Sequence, residues 1–506
     1  MAIEYKKPKP FGETEERTMK ETTKPPYAII AILFTGAFVA IFNQTLLNIA
    51  LPEIMIDLNV DAATAQWLVT GYMLVNGILI PASAYLIQRY SNRAIFIVAM
   101  SLFSVGTLLA ALAPAFSVLL IGRMIQASGA ALMMPLLMNV MLAAFPVEKR
   151  GQAMGVFGMV MVVAPAIGPT LSGFIVQTYS WRVLFFIVLP VALIPLLLGI
   201  FKLKNLTFQN RELSLDPLSL VLSSLGFGGL LYGFSSAGSL GWENPAVYLT
   251  IAVGLLSLTV FAFRQMKLEE PLLELRVYKH PMFALSSVIS ITLSMAMFSA
   301  MILMPIYIQT IKGISPIQSG LMMLPGALVM GIMSPITGRI FDRFGAKVLA
   351  LPGLALVVIT TYLFSNLTLD TGYYQIMAIY TLRMFGISMV MMPVMTNGLN
   401  QLPMKSYPHG TAINNTLQQV SGAIGSAFLV TLMNTRTEAT VQDLVASGTS
   451  PQEATIPAML EGINFSFTVS TYIALAAFLL ALFIKKPNQK ATEAQKERVY
   501  KQRYAD

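Results

Sequence analysis

The chain has 506 residues and a net charge of +9, and its composition differs sharply from that of a soluble protein. Only 11% of its residues are charged, whereas a soluble domain carries about 25%. Hydrophobic residues make up 56% of the chain, and the mean hydropathy is +0.69. The absence of cysteine excludes disulfides and thiol chemistry, and two histidines are too few for a metal cluster. This composition indicates an all-α polytopic membrane protein that binds no metal.

Apolar runs of about 20 residues, the length that crosses the hydrocarbon core, recur along the whole chain. We expect fourteen membrane spans, near residues 27–51, 66–87, 94–113, 117–144, 151–176, 183–203, 217–237, 247–266, 283–309, 316–338, 347–366, 373–399, 409–433 and 464–484. The polar segments 1–26 and 486–506 are the expected tails. The segment 434–463 is expected to be the longest outer connection, with short interfacial helices at Thr440–Ala446 and Glu453–Leu460.

Lysine and arginine are unevenly distributed between the two sides of these spans. With the N-terminus in the cytoplasm, 15 of them fall in inner connections and 13 in the tails together with Lys485, against three outside, at Arg182, Lys312 and Arg436. An excess of positive residues marks cytoplasmic segments. We therefore expect both termini to be cytoplasmic. The net charge is a topology signal, compatible with attraction to anionic lipids, and indicates no nucleic acid partner.

The sequence contains an internal repeat. Three segments of the first half recur in order in the second: Arg123–Asn139 as Arg383–Asn397, Arg150–Gly168 as His409–Gly425, and Ala84–Arg93 as Gly338–Lys347. The repeat maps spans 1–6 onto spans 9–14, in the same orientation. Parallel halves that enclose a midplane site and rock to give alternating access are typical of such repeats. The expected division is a half at 27–203, an insert of a loop and two helices at 204–266, and a half at 267–485.

The segment Ala164–Gly173 lies within an apolar run and is the most irregular of the predicted spans. It contains Pro165, Gly168, Pro169 and Gly173. Proline removes a backbone donor and glycine raises the entropic cost of a helix, so such a segment survives in a bilayer only where neighbouring helices or a cavity satisfy the freed carbonyls. We interpret it as a hinge, or alternatively as a kinked structural span.

These motifs resemble those of the major facilitator superfamily over nearly the whole chain. Gly338–Lys347 is close to the superfamily's loop pattern, and Ala84–Arg93 is a degenerate copy, with Gln88 in place of the acid. Arg123 with Gln126 and Gly129 resembles the fourth-helix motif of proton-coupled exporters, and Ala164–Gly173 resembles the fifth-helix antiporter motif. The segment 43–52 is similar to the first-helix motif of fourteen-helix drug:proton antiporters, and most like that of the lincomycin-resistance-type exporters of Gram-positive bacteria.

The resemblance implies a major facilitator fold of two six-helix halves plus two inserted helices. It also implies a substrate cavity built mainly from spans 1, 4, 10 and 13. The polar candidates for that cavity are Asn43, Gln44, Asn48, Gln126, Asn139, Gln318, Asn414 and Gln418. Interhelical hydrogen bonding is an equally good explanation for any one of them.

One departure from the family concerns proton coupling. Many relatives carry Asp at the position of Asn43, and no Asp or Glu falls in the middle of any predicted span. A proton antiporter needs a group whose protonation changes as access alternates, usually a desolvated carboxylate. The candidates for coupling or gating are Arg123, Glu53, Asp57, Asp216, Asp342, Arg343 and Arg383. The resemblance makes Asp342 with Arg343 a gate latch; the alternative is a surface pair of little energetic weight. Arg123 and Arg383 are either functional or structural arginines that cap carbonyls.

The leading hypothesis is a cell-membrane exporter of amphiphilic or cationic drugs, driven by proton antiport and active as a monomer. An exporter or flippase of a physiological lipid or metabolite is the alternative, and a membrane sensor is a third possibility. No phosphate-binding loop, nucleophile elbow or metal cluster is present in the sequence, so neither an enzyme nor a cofactor is expected.

Overall fold

The computed structural model describes residues 27–206, 209–210 and 212–485, without the side chains of a few helical positions such as Asn48 and Pro169. In these residues the chain forms fourteen long α-helices and no strand. In chain order they are α1 (Tyr27–Asp57), α2 (Ala62–Arg89), α3 (Asn92–Ala111), α4 (Phe116–Ala144), α5 (Arg150–Thr178), α6 (Arg182–Lys202), α7 (Pro217–Leu240), α8 (Pro245–Lys267), α9 (Pro281–Ile306), α10 (Pro316–Phe344), α11 (Ala346–Phe364), α12 (Tyr373–Leu399), α13 (Tyr407–Ala446) and α14 (Pro451–Ala481). The expected tails lie outside the described residues.

The helices coincide in order and number with the fourteen expected spans. Among the described residues, thirteen of them are long and apolar enough to cross a membrane by length and composition. The fourteenth is α5, which continues without a break through Ala164–Gly173. A π-helical turn, Tyr307–Ile311, prolongs α9 just after Pro305. The prediction of an all-α polytopic fold is therefore confirmed.

The prediction of an outer loop at 434–463 is wrong. Helix α13 runs on to Ala446 and α14 begins at Pro451, so the two expected interfacial helices are continuations of these helices. The extension of α13 contains no proline or glycine before Gly448, and nothing interrupts it. At the start of α14, the Ser450 hydroxyl accepts a hydrogen bond from the backbone N–H of Glu453, which fixes the first turn.

Contacts between helix ends join the start of an odd-numbered helix to the end of an even-numbered one, as expected for helices that alternate in direction. Tyr27 at the start of α1 meets Phe145 at the end of α4, and Lys347 at the start of α11 bonds the carbonyl of Leu482 after α14. We call the end of the bundle that contains these residues the tail face, because the chain enters and leaves the described part there. Asp57, at the end of α1, lies at the opposite face, where it pairs with Arg182.

The apolar cores of the two repeat halves join at the tail face, and the contact reaches mid-span, where Val162 of α5 packs against the second half. One buried cluster joins α1–α6 to tail-face residues of the second half, including Phe283, Leu399 and Ile413. A second cluster is formed almost entirely by the remainder of α9–α14. The halves therefore share a continuous packed core at the tail face.

The two inserted helices pack against one another, and α7 fills the space between α2 and α13. On one side Tyr232 of α7 stacks on Trp67 of α2. On the other side Leu230 and Leu231 of α7 form a small apolar cluster with Val420 of α13. The insert thus bridges the halves along one flank of the bundle, while α5 and α10 form the other flank.

Helices α5 and α10 approach so closely that their backbones touch. A Cβ added to Gly338 would overlap the carbonyl oxygen of Gly151, and one added to Gly155 would overlap that of Ser334. Only glycine allows this approach, which lets backbone groups of one half pack directly on those of the other.

We predict that Gly338→Ala destabilises the protein by about 1–3 kcal/mol, because the added methyl forces α5 and α10 apart. Gly320→Ala in the same helix is the matched control, since no atom lies within 4 Å of a Cβ there. Its effect should stay within about 0.5 kcal/mol. Unfolding of both variants in one detergent measures the difference, and equal effects would contradict the close contact.

Candidate functional site

The Asp342 carboxylate of the second half lies at the N-terminus of α5 in the first half. Its two oxygens accept hydrogen bonds from the backbone N–H groups of Gly151, at 2.6 Å, and Gln152, at 2.8 Å. These N–H groups have no partner within their own helix, and the helix dipole favours a negative charge there. Arg343 is exposed and its guanidinium lies over the ring of Phe344. Of the predicted pair, therefore, Asp342 contacts the opposite half, whereas Arg343 lies over a neighbour in its own half.

Arg150 adds a second link between the halves beside Asp342. This buried arginine starts α5, and one guanidinium nitrogen donates to the amide oxygen of Asn400 at 3.0 Å and the hydroxyl of Tyr407 at 2.7 Å. The guanidinium carbon also lies 4.9 Å from the centre of the Tyr407 ring. A cation, a carboxylate and a helix terminus thus meet at one junction.

The internal repeat produces a related junction with neutral groups on the other side of the tail face. Gln88, the counterpart of Asp342, lies with its amide nitrogen 3.1 Å from Nε2 of His409, the counterpart of Arg150. The Nδ1 atom of His409 accepts a hydrogen bond from the backbone N–H of Glu274 at 3.2 Å. The imidazole, which is buried, therefore connects α2, α13 and the connection before α9.

Arg123 lies buried among α2, α3 and α4, only 1% exposed. It donates to the side-chain oxygen of Gln126 at 2.6 Å, and the Gln126 amide donates to the hydroxyl of Thr107 at 2.7 Å. The guanidinium carbon lies 4.2 Å from the centre of the Tyr72 ring, within range of a cation–π interaction. Gln126 therefore holds the arginine and does not face an open cavity.

Arg383 occupies the related position in the second half and is fully buried. It donates to the carbonyl of Ala296 on α9 at 2.9 Å, and more weakly to the hydroxyl of Thr361 on α11 at 3.4 Å. Its Nη1 atom has no protein partner among the described residues. A charged donor without a partner in a buried site is costly, so this atom is open to a further acceptor.

A narrow pocket of about 20 Å³ lies within the second half, and Arg383 is not among its lining residues. Its walls come from α9, α12 and α13, and its lining residues include Ser290, Ser294, Met297, Asn414 and Gln418. Two of the predicted cavity residues, Asn414 and Gln418, are thus brought together. The hydroxyl of Ser287 donates to the Asn414 side chain at 3.4 Å.

The remaining polar residues predicted for the cavity do not lie together. Asn43 and Asn139 are buried in the first half, and the amide nitrogen of Asn43 has no partner among the described residues. Gln44 is partly buried beside them in α1, whereas Gln318 is exposed in the first turn of α10 at the opposite face. The side chain of Asn48 is outside the described part. The structure therefore gathers Asn414 and Gln418 but not the whole predicted set.

The carboxylates Asp57 and Asp216, predicted as coupling candidates, form ion pairs at helix ends. Hydrogen bonds from Arg182 and Trp181 lower the pKa of Asp57 below its usual value. Two hydrogen bonds from Arg264, at 2.7 and 3.1 Å, lower the pKa of Asp216 to about 2. Both groups are therefore ionised at neutral pH in this conformation. Glu53 is exposed near the end of α1.

The Ala164–Gly173 segment packs against α1. The Thr45 side chain occupies the position that a Cβ on Gly168 would take, and Ser172 donates to the carbonyl of Leu46 at 2.6 Å. Pro165 and Gly173 are partly buried in the same helix, and the side chain of Pro169 is outside the described part. Gly168 thus permits close packing of this helix against α1 near Asn43, and bending at this segment stays a prediction.

The sequence argument missed Arg150 and His409 as functional residues. Both residues are the first of a repeated segment, Arg150 in α5 and His409 in α13. Their equivalence in the repeat was the signal that could have identified them. Their importance comes from the opposing half, whose position no local pattern reveals.

The fold and these sites define a helical membrane transporter with two related halves, and comparisons with known proteins agree. Residues 33–426 match the profile of the Major Facilitator Superfamily. The uncharacterized MFS-type transporter YcnB of Bacillus subtilis is 49% identical, over 92% of this chain and 96% of YcnB. The lincomycin resistance protein LmrB of Listeria innocua is 43% identical, over 91% of this chain and 97% of LmrB. The human organic anion transporter MFSD10 shares the fold, with a TM-score of 0.66 and 13% identity over 90% of this chain and all of that chain.

This chain belongs to the Major Facilitator Superfamily, and its sequence and fold fit those of the superfamily's multidrug exporters.

We predict that Asp342→Asn loosens the contact between α5 and α10 at the tail face. Loss of a charge at a helix N-terminus costs about 1 kcal/mol, which corresponds to roughly a fivefold change in the ratio of open to closed forms. Because the natural chain has no cysteine, Ser334→Cys provides a single buried reporter beside Gly155. Its alkylation by a water-soluble maleimide should accelerate about fivefold.

Arg343→Gln in the same Ser334→Cys background is the matched control for Asp342→Asn. It removes a neighbouring charge that does not contact α5, so the alkylation rate should change less than about twofold. Equal acceleration by both variants would contradict the role given to the Asp342 carboxylate.

We predict that Asp216→Asn leaves the pH dependence of transport between pH 5 and 8 unchanged, because this carboxylate titrates near 2. A depressed pKa contributes stability above the unfolded value of about 3.9 and loses it only as the pH falls towards 2. The variant should therefore lose about 1 kcal/mol of stability at neutral pH. Glu212→Gln, an exposed neighbour, is the control, and a shifted pH profile in Asp216→Asn alone would contradict this assignment.

Proposed function

We propose that this protein exports amphiphilic drugs from the cytoplasm across the cell membrane by alternating access, in exchange for protons. The observation that carries the proposal is the closure of the two repeat halves at one end only. At the tail face they share an apolar core and the Asp342 contact, whereas towards the opposite face their cores are separate. Two halves that meet at one end are what rocking about a central site requires.

The direction of export rests on the expected topology. The excess of lysine and arginine at the tail face favours a cytoplasmic location for that face and for both termini. The described conformation is then closed to the cytoplasm. Asp342 acts as a latch of this state, because its hydrogen bonds to α5 must break when the tail face opens.

Similarity to relatives supports drug efflux. The name of LmrB attributes lincomycin resistance to that protein, which aligns over nearly its whole length. We carry export of drugs, but not lincomycin itself, from this relative to the present chain. The protein is proposed to act as a monomer, as expected for the superfamily.

The proposed proton coupling is argued from the distribution of the carboxylates. Two arginines, Arg123 and Arg383, are buried in the described spans away from the helix ends, whereas the carboxylates of the described residues lie only near helix ends or in polar extensions. Of the predicted acids, Asp342 alone connects the halves, so its protonation would release the latch. Asp57 and Asp216 are held ionised by arginines in this conformation and are weaker candidates.

The lack of a mid-span carboxylate also favours a second candidate function. An exporter or flippase of a physiological lipid or metabolite has no need of strong proton coupling, and drug efflux would then be incidental. The dependence of transport on a pH gradient separates the two.

We predict that a pH gradient across proteoliposomes drives accumulation of a labelled amphiphile, with a counter-flow of protons that stops when the gradient is collapsed. Asp342→Asn should uncouple the two fluxes, whereas Glu53→Gln, Asp57→Asn and Asp216→Asn should retain coupling. Both fluxes are followed with fluorescent reporters, and vesicles without protein give the leak. Amphiphile transport that is indifferent to the gradient would exclude antiport and favour the second candidate.

A further inference from the structure

The charges buried in the middle of the described spans all have one sign. Arg123 and Arg383 are 1% and 0% exposed. Every Asp and Glu in the described residues lies near a helix end, in a connection, or in the polar extensions of α13 and α14 beyond Met433. No carboxylate among them is placed to neutralise either arginine.

The contacts of both arginines are with neutral groups. Arg123 bonds Gln126 and lies over the ring of Tyr72. Arg383 bonds the carbonyl of Ala296 and the hydroxyl of Thr361, and one of its nitrogens has no protein partner in the described residues. Neutral partners orient a guanidinium without cancelling its charge, so a positive potential extends into the surrounding low-dielectric interior.

The pocket of the second half lies within reach of the charge on Arg383. The carbonyl that accepts the Arg383 hydrogen bond belongs to Ala296, and the next residue, Met297, lines the pocket. On α12, Val390 also lines the pocket and lies seven residues from Arg383, which places it two turns away on the same helix face, about 10 Å along the axis. The polar groups of this pocket, Asn414 and Gln418, carry no charge.

The geometry points to a substrate class: the pocket between α9, α12 and α13, which has room for about one water molecule in this conformation and widens during transport, binds amphiphiles that carry a negative charge or none, and it discriminates against permanent organic cations. Arg383 sets this selectivity from behind the pocket wall. This inference rests on the proposed export function and narrows the amphiphilic class to its neutral and anionic members.

The expected difference in affinity between charged and uncharged ligands follows from the distance between Arg383 and the pocket. A unit charge about 10 Å from Arg383, at the effective dielectric constant of about 20 that suits protein interiors, changes its affinity roughly tenfold. An anion should gain this factor, a cation should lose it, and an uncharged molecule of the same shape should be unaffected. Charge selectivity can therefore be measured separately from hydrophobic binding.

Two probes with one scaffold separate these effects. Fluorescence titrations of the full-length protein in nanodiscs compare 8-anilinonaphthalene-1-sulfonate, an anion, with its uncharged parent N-phenyl-1-naphthylamine. Displacement of the neutral probe by tetraphenylphosphonium measures cation binding, and empty nanodiscs give the lipid background. We predict that Arg383→Met weakens binding of the anion about tenfold, strengthens that of the cation about tenfold, and changes that of the neutral probe less than twofold.

A second pair of variants keeps the test valid where Arg383→Met does not fold. Gln418→Glu places a carboxylate in the pocket, whereas Gln419→Glu adds the same charge at the next position, which is not among the pocket-lining residues. The first variant should raise the affinity for tetraphenylphosphonium about tenfold and lower that for the anion, and the second should do so less.

A folded Arg383→Met protein with an unchanged ratio of anion to neutral-probe affinity would overturn the inference, as would equal effects of Gln418→Glu and Gln419→Glu. A separate measurement of probe transport in proteoliposomes tests the proposed function. Selective binding without transport of any probe would refute export and leave the pocket assignment intact. Transport with a preference for cations would refute the substrate class and leave export intact.

Discussion

The described conformation depends on the hydrogen bonds that the Asp342 carboxylate of α10 accepts from the first turn of α5. A helix N-terminus presents unpaired N–H groups and a partial positive charge, and here both are satisfied by an acid from the opposite half. The interaction works because Gly151 and Gly338 let the two backbones touch. The shared apolar core of the tail face includes Ala153 of α5, two residues from Gly151.

The two halves repeat one another in sequence but differ in chemistry where they meet. One junction contains Asp342 and Arg150, whose charges make strong hydrogen bonds in a partly buried site. The other contains Gln88 and His409, which are joined by weaker neutral contacts. In the proposed alternating access, opening of the tail face would break unequal interactions on its two sides, and the Asp342 side would account for most of the cost.

Much of the fold was predictable because lipid imposes a simple rule on sequence. Each span must be about 20 apolar residues long and must satisfy its own backbone, so hydropathy gave all fourteen helices in order. The rule fails outside the bilayer, where α13 and α14 continue as polar helices to Ala446 and from Pro451. At the site, the hydrogen bond between Arg123 and Gln126 and the proximity of Asn414 to Gln418 were accessible from helical spacing. Gln318 shows the limit of that approach, because its position in the first turn of α10 leaves it exposed.

The sequence by itself determined the class of protein, the number and order of the helices and the repeat that relates the halves. These follow from the local physics of apolar length and from self-similarity, and neither needs a partner helix. Only the tertiary structure decided which side chains meet across the halves. Asp342 and Gly151 are far apart in the chain, as are Gln88 and His409, and no local propensity encodes their contacts. The same holds for the unpaired charge of Arg383, which becomes significant only because the helices packed around it supply neutral groups.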